Sequence, residues 1–293
     1  MATIVTDCGN SPQLAKRLAR KLRAKYSPLT ISSFPDGDIY LKFNTNLKNK
    51  KLVIVQSFQP HSDMSLFDVI WAAETAKDLG AKKVTLVAPY LSYMRQDKRF
   101  NPGEAISSHI MAKLLNNSID KIITIDPHLH RIPKLSKIFT IQNQALTANL
   151  VIADYIQHHF KNAVIIGPDW ESYQWAERIA NKIKVLSSVF RKTRHSSRKV
   201  TSKMIKPLEI KNKNVIIVDD IISTGHTIIE AAKKAKQHKA KSITAICVHG
   251  LFVENALKKI QRSGVKQVLC TNTIQKPQSK IDITDLIVKE LKR

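Results

Sequence analysis

Residues 215–227 read VIIVDDIISTGHT. Four β-branched residues in a row specify a buried strand. Two carboxylates, Asp219 and Asp220, stand at its C-terminal edge. Ser223-Thr224-Gly225-His226-Thr227 follows, a turn of small residues that opens a helix. Ligands of open α/β sheets bind outside the carboxyl ends of the strands. A tight turn at a helix N-terminus directs backbone N–H groups outward, and the helix dipole adds positive potential. Thr224 and Thr227 add hydroxyl donors. The pattern suits a phosphate in the turn, with sugar hydroxyls and Mg²⁺ on the carboxylates. A strand followed by an ordinary Asp/Ser/Thr helix cap shares most of these features. It leaves the two adjacent, mutually repelling carboxylates unexplained.

The alternation continues on both sides. Strands are expected at 53–56, 84–90, 121–126, 163–169, 185–190, 242–250 and 265–273. Helices are expected at 66–79, 106–115, 173–181, 227–237 and 254–263. Strands alternating with helices imply βαβ units and a mainly parallel sheet. An internal echo accompanies them. Ala72-Ala73-x-x-Ala76-Lys77 and Ala231-Ala232-x-x-Ala235-Lys236 each follow one apolar strand and lead into another. At roughly 150 residues per domain, the expectation is an α/β chain of two similar domains, 1–146 and 147–293, joined near 143–148. The last helix is a candidate to pack back on the first domain.

Apolar residues make up 43% and charged residues 24%, which excludes a disordered chain. Cys8, Cys247 and Cys270 are too few and too scattered for a disulfide framework or a zinc cluster. No apolar run approaches the roughly 20 residues of a membrane span. The first residues, MATIVTDCGN, lack the basic and apolar regions of a signal peptide. The expectation is a cytoplasmic protein with no membrane partner. Lys and Arg total 48 against 23 Asp and Glu, a net charge of +25, which points to anionic partners. Aromatics are only 6% and do not interleave with the basic stretches, so a nucleic-acid stacking platform is not expected.

Other segments carry their own chemistry. Phe34-Pro35-Asp36-Gly37-Asp38 reads as a turn. Tyr93-Met94-Arg95-Gln96-Asp97-Lys98-Arg99 puts three cations just past a strand, where they suit a polyphosphate or form a solvated charge run. Asp126-Pro127-His128-Leu129-His130 places His-x-His at a strand end, as in zinc hydrolases on closed barrels. That reading needs further ligands at strand ends, and of the later histidines only His249 qualifies: His158 and His159 fall within a helix, His226 in the turn, and His195 and His238 on loop or helix surface. Gly167-Pro168-Asp169 ends a strand with an exposed carboxylate. Lys192-Thr193-Arg194 on an extended segment puts two cations on one face.

The 219–227 stretch resembles the DDxxxTGxT loop of type I phosphoribosyltransferases. With the other four segments, in order along nearly the whole chain, the sequence is similar to the ribose-phosphate pyrophosphokinases. The resemblance implies phosphoribosyltransferase-like domains and the reaction of ATP with ribose 5-phosphate to give 5-phosphoribosyl 1-diphosphate and AMP. It implies ATP contacts at Phe34, Asp36, Gly37, Asp38, Arg95 and Gln96, with the ATP site near a subunit contact of a homo-oligomer. It implies Mg²⁺ near His128 and Asp169, and a catalytic pair, Lys192 and Arg194, on a flexible loop. Ribose 5-phosphate would meet Arg194, Asp219, Asp220 and the turn from Ser223 through Thr224, Gly225 and His226 to Thr227. Asp38 stands where the family usually has Glu, and Trp170-Glu171-Ser172 where many members have small residues. Residues 99–108 look closer to the archaeal type. A phosphoribosyltransferase consuming the product shares the 219–227 loop but needs no ATP segments. A regulatory homologue would usually lack the Lys192–Arg194 pair.

Overall fold

In the computed structural model, all residues are described except 130, 195–199 and 205–207, together with the side chains of 171, 174, 190–194 and 200–204. His130 and His195 therefore lie outside the described residues. The chain divides into two units. One comprises Met1–Leu146, Thr273–Gln275 and Ile283–Arg293; the other comprises Thr147–Asn272 and Lys276–Asp282.

The first unit runs β1 (Thr3–Asp7), α1 (Pro12–Leu22), β2 (Lys25–Tyr26), β3 (Leu29–Ser33), β4 (Ile39–Phe43), β5 (Lys51–Val55), α2 (Ser62–Asp78), β6 (Lys83–Ala88), α3 (Ser107–Ser118), β7 (Lys121–Ile125) and β8 (Gln142–Leu146). The sheet order is β2-β1-β5-β6-β7-β8, and its neighbours are parallel. β3 and β4 form a separate antiparallel hairpin. Ile54, Leu86 and Ile122 share a core with Val69, Ala72, Ala73 and Ala76 of α2 and Met111 and Leu115 of α3. Alanines on the inner stripe of α2 let the helix lie close to the sheet.

The second unit runs α4 (Asn149–His159), β9 (Ala163–Gly167), α5 (Trp170–Lys182), β10 (Ser187–Arg194), β11 (Val200–Met204), β12 (Asn214–Ile222), α6 (His226–Gln237), β13 (Ser242–Gly250), α7 (Ala256–Arg262), β14 (Gln267–Thr271) and β15 (Ser279–Ile281). The order is β11-β10-β9-β12-β13-β14-β15, parallel except for β10 with β11. Ala231, Ala232 and Ala235 of α6 pack in the core with Val215, Ile217 and Ala245. The internal echo thus records one packing solution used twice, an alanine-striped helix on a parallel sheet. The closing helix α8 (Thr284–Leu291) belongs to the first unit, where nearly buried Glu290 meets Lys121 at 2.7 Å.

Both sheets are open, which removes the closed-barrel reading. Several boundaries also move. The strand expected at 215–220 continues to Ile222, because Ile221 and Ile222 keep their register with His249 and Gly250. The acidic pair therefore lies inside the strand's last turn of pleat, not at its end. The helix expected at 173–181 starts at Trp170, where Asp169 caps it. His158 and His159 close α4, and each ring nitrogen bonds a carbonyl one turn back. The strand expected at 185–190 spans Ser187–Arg194 and pairs with β11, so the backbone of Lys192 and Arg194 lies in a ladder opposite Ser202 and Val200.

Candidate functional site

In the second sheet the chain steps from β9 outward to β10 and later returns to place β12 on the other side of β9. Such a reversal leaves a crevice at the carboxyl ends of the two strands. Asp169 follows β9 there, and Asp219 and Asp220 come from β12. Asp219 is buried and Asp220 half-buried. Burial pushes the Asp219 carboxyl well up, and the charges of Asp220 and Asp169 push it further. A carboxylate held out of water beside two others is the pattern expected of a ligand site rather than of a stabilising ion pair.

Local hydrogen bonds set the directions of these groups. Asp219 Oδ1 accepts from Asp220 N at 3.0 Å, and Asp220 Oδ1 from Ile221 N at 2.8 Å. Asp169 Oδ1 accepts from Ser172 N at 3.1 Å and Oγ at 3.0 Å, while Asp169 N donates to Ser172 Oγ at 3.2 Å. This reciprocal capping box gives Ser172 a structural role at the start of α5. Trp170 is exposed and stacks on Tyr173, with ring centroids 5.5 Å apart.

Beyond β12, Ser223 and Thr224 lead to Gly225, whose φ of +79° is the left-handed conformation glycine adopts at least cost. Gly225 caps α6 without a side chain, and the helix has no acidic residue in its first turn. Its first N–H groups have no intrahelical partner. They form a positive end, with the Thr227 hydroxyl in the same turn and His226 exposed on it. Asp219, Asp220 and residues 223–227 thus follow one another from the end of β12 into the start of α6.

In the first unit, the five residues Phe34–Asp38 close the β3–β4 hairpin. Phe34 N donates to Asp38 O at 2.8 Å and Gly37 N to Phe34 O at 2.9 Å, while Asp38 N meets Asp36 Oδ1 at 3.3 Å. Phe34 is 51% exposed, and its ring meets that of Tyr40 edge-on with centroids 5.7 Å apart. After β6, Met94 and Asp97 point inward and Arg95 points to solvent. Gln96 is half-buried, and its Oε1 accepts from Ser107. His128 is half-buried on the segment after β7. Arg131, from the same segment, donates through Nε to Asp97 Oδ1 at 2.8 Å and Oδ2 at 3.1 Å. Sequence reasoning did not find this contact, since 34 residues separate the partners and no motif joins them.

His128 belongs to the first unit and Asp169 to the second. Among the described residues, no three His, Cys, Asp or Glu side chains come together as a ready-made metal cage. The side chains of Lys192 and Arg194 lie outside the described residues.

Residues 3–118 match the N-terminal domain of ribose phosphate pyrophosphokinase, and residues 135–285 match the phosphoribosyl transferase domain. A ribose-phosphate pyrophosphokinase of Methanothermobacter thermautotrophicus is 34% identical over 99% of this chain and 100% of its own length. The chain belongs to the ribose-phosphate pyrophosphokinase family. The same enzyme name attaches to a Sulfurisphaera tokodaii protein, 33% identical over 86% of this chain and 87% of that one. A crystal structure of phosphoribosylpyrophosphate synthetase from Mycobacterium smegmatis covers 100% of this chain and 98% of its own, with a TM-score of 0.88 at 24% identity, and shows the fold. As a ribose-phosphate pyrophosphokinase, the chain is a diphosphate-transferring enzyme with two phosphoribosyltransferase-like domains. No helix among the described residues is long and apolar enough to cross a membrane.

Proposed function

We propose that the chain makes 5-phosphoribosyl 1-diphosphate through the residues described above, binding ribose 5-phosphate on the second unit and ATP through residues of the first. The ribose side rests on one observation. A buried carboxylate, Asp219, and its neighbour Asp220 precede a helix N-terminus that Gly225 caps without a side chain. The 5-phosphate sits against the N–H groups and hydroxyls of residues 223–227, and the carboxylates take the 2- and 3-hydroxyls. This fixes the ring and leaves its 1-oxygen free to react.

On the ATP side, Arg95 and Gln96 hold phosphate and base. The exposed Phe34, with Asp36, Gly37 and Asp38, meets adenine at a contact between subunits of a homo-oligomer. The 1-oxygen forms a bond to the β-phosphorus, the bond from that phosphorus to the α–β bridging oxygen breaks, and AMP leaves. The hydroxyl proton passes to solvent. Lys192 and Arg194 neutralise charge on the group in transfer, a role in which positioning and charge dominate.

The donor set suits Mg²⁺, a hard cation that keeps several waters and takes one or two carboxylates together with substrate phosphates. Repulsion among Asp169, Asp219 and Asp220 is the local feature a cation relieves. His128 and Asp169 are the residues proposed to hold it, and when bound it offsets phosphate charge. A cytoplasmic location suits an enzyme of these substrates.

Measuring AMP release with and without ribose 5-phosphate, and with no nucleobase present, tests the reading. AMP formation that depends on ribose 5-phosphate supports it. Activity only with a nucleobase and preformed 5-phosphoribosyl 1-diphosphate would instead mark a phosphoribosyltransferase.

A further inference from the structure

Arg131 joins two segments of the first unit that are distant in sequence. Its Nε reaches both oxygens of Asp97, whose side chain is 1% exposed, while Arg131 itself is 41% exposed. The Arg131 guanidinium also lies 5.2 Å from the Phe100 ring centroid, and the Lys98 ammonium lies over the same ring at 5.2 Å. Asp97 is the next residue but one after Arg95, and Arg131 is the third after His128.

The local backbone explains why such a clamp has work to do. Residues 92–95 form a turn, with Tyr93 at φ +68°. The Tyr93 hydroxyl bonds Asp63, and Met94 is buried. Arg95 is then thrown out to solvent before Asp97 returns inside. An exposed guanidinium on a turn has wide rotational freedom, and its placement depends on how firmly the backbone either side is held. On one side Met94 is the anchor. On the other it is an ion pair that includes an almost wholly buried carboxylate. Removing one partner of such a pair leaves an uncompensated charge, which forces the segment to shift or open.

We infer that Arg131 is a positioning residue for the nucleotide: through Asp97 it holds Arg95 and Gln96 in a fixed relation to the segment that carries His128. The inference rests on the reading that Arg95 and Gln96 contact ATP. Arg131 itself need touch no substrate.

The test is steady-state kinetics on the full chain with each substrate varied in turn. Arg131→Gln is expected to raise the KM for ATP by about tenfold to a hundredfold. The KM for ribose 5-phosphate stays within about twofold, and kcat falls by less than the ATP KM rises. Arg131→Lys recovers most of the loss, since an ammonium can still reach Asp97. If Arg131→Gln fails to fold, the double variant Asp97→Asn with Arg131→Gln removes both charges, and it should fold and show the same ATP-selective loss. An ATP KM within about twofold of wild type in the foldable variant overturns the inference, as does an equal rise for both substrates. Arg95→Gln separates the two layers. If it leaves ATP affinity unchanged, the reading of the ATP side fails. If it weakens ATP while the Arg131 variants do not, only the positioning role fails.

Discussion

Gly225 and Ile260 are packed so closely that a Cβ on Gly225 would lie 2.7 Å from Ile260 Cδ1. The residue that turns β12 into α6 is thus constrained twice, by its φ of +79° and by α7 beneath it. This contact seats the helix end proposed to bind phosphate.

Gly225→Ala should therefore lower stability by about 1–3 kcal/mol, combining left-handed strain with local overpacking. Ribose 5-phosphate affinity should fall with it. Adding Ile260→Ala, which removes both Cδ1 and the Cγ1 that would lie 2.8 Å away, should relieve the overpacking and leave the φ strain, so the double variant should lose less stability than the two single losses summed. Urea unfolding of the wild type, the two single variants and the double variant gives the comparison. Strictly additive losses would mean that conformation alone, and not the Ile260 contact, demands glycine.

Asp219→Asn with Asp220→Asn should weaken ribose 5-phosphate far more than ATP. Losing a charged hydrogen-bond acceptor typically costs about 1.5–3 kcal/mol of binding, so a drop of at least tenfold is expected. Calorimetric titration with each substrate separately decides it. Equal losses would assign the pair to the fold or to the metal.

Lys192→Ala should reduce turnover by about 10²–10³-fold, the scale of losing one preorganised charge contact, and leave the unfolding midpoint unchanged. Rates within a few-fold of wild type, on a folded variant, would take Lys192 out of the mechanism.

Asp68, on α2, has its carboxyl pushed up to about 6 by burial. A group whose folded pKa is raised binds protons more tightly in the folded state. Its contribution to stability is then fully present below the usual carboxylate pKa of about 4 and is lost as pH rises through about 6. Asp68→Asn should raise the melting temperature at pH 8, and the gain should vanish near pH 4. Melting curves across that range provide the check, and a pH-independent difference would mean that the Asp68 pKa is the same in the folded and unfolded chain.

The passage from strand through a glycine turn into a helix at 219–227 was legible because it is local. Two carboxylates, a glycine and hydroxyls fall within nine residues where one strand runs into a helix. The parallel α/β class was legible because apolar strands alternate with helical runs, and the repeated Ala-Ala-x-x-Ala stripe marked where helices lie on sheets. The hairpin around Phe34 was readable only as a turn, since its two strands are half exposed and lack a continuous apolar run. Strand order was not legible at all. Which strand lies beside β9 depends on long-range pairing, and that pairing brings Asp169 within electrostatic reach of Asp219 from fifty residues away. The same holds for Arg131 with Asp97 and for Lys121 with Glu290. Ion pairs of this kind carry no sequence period. They form only once packing has excluded water around one partner and made an unmatched charge there costly.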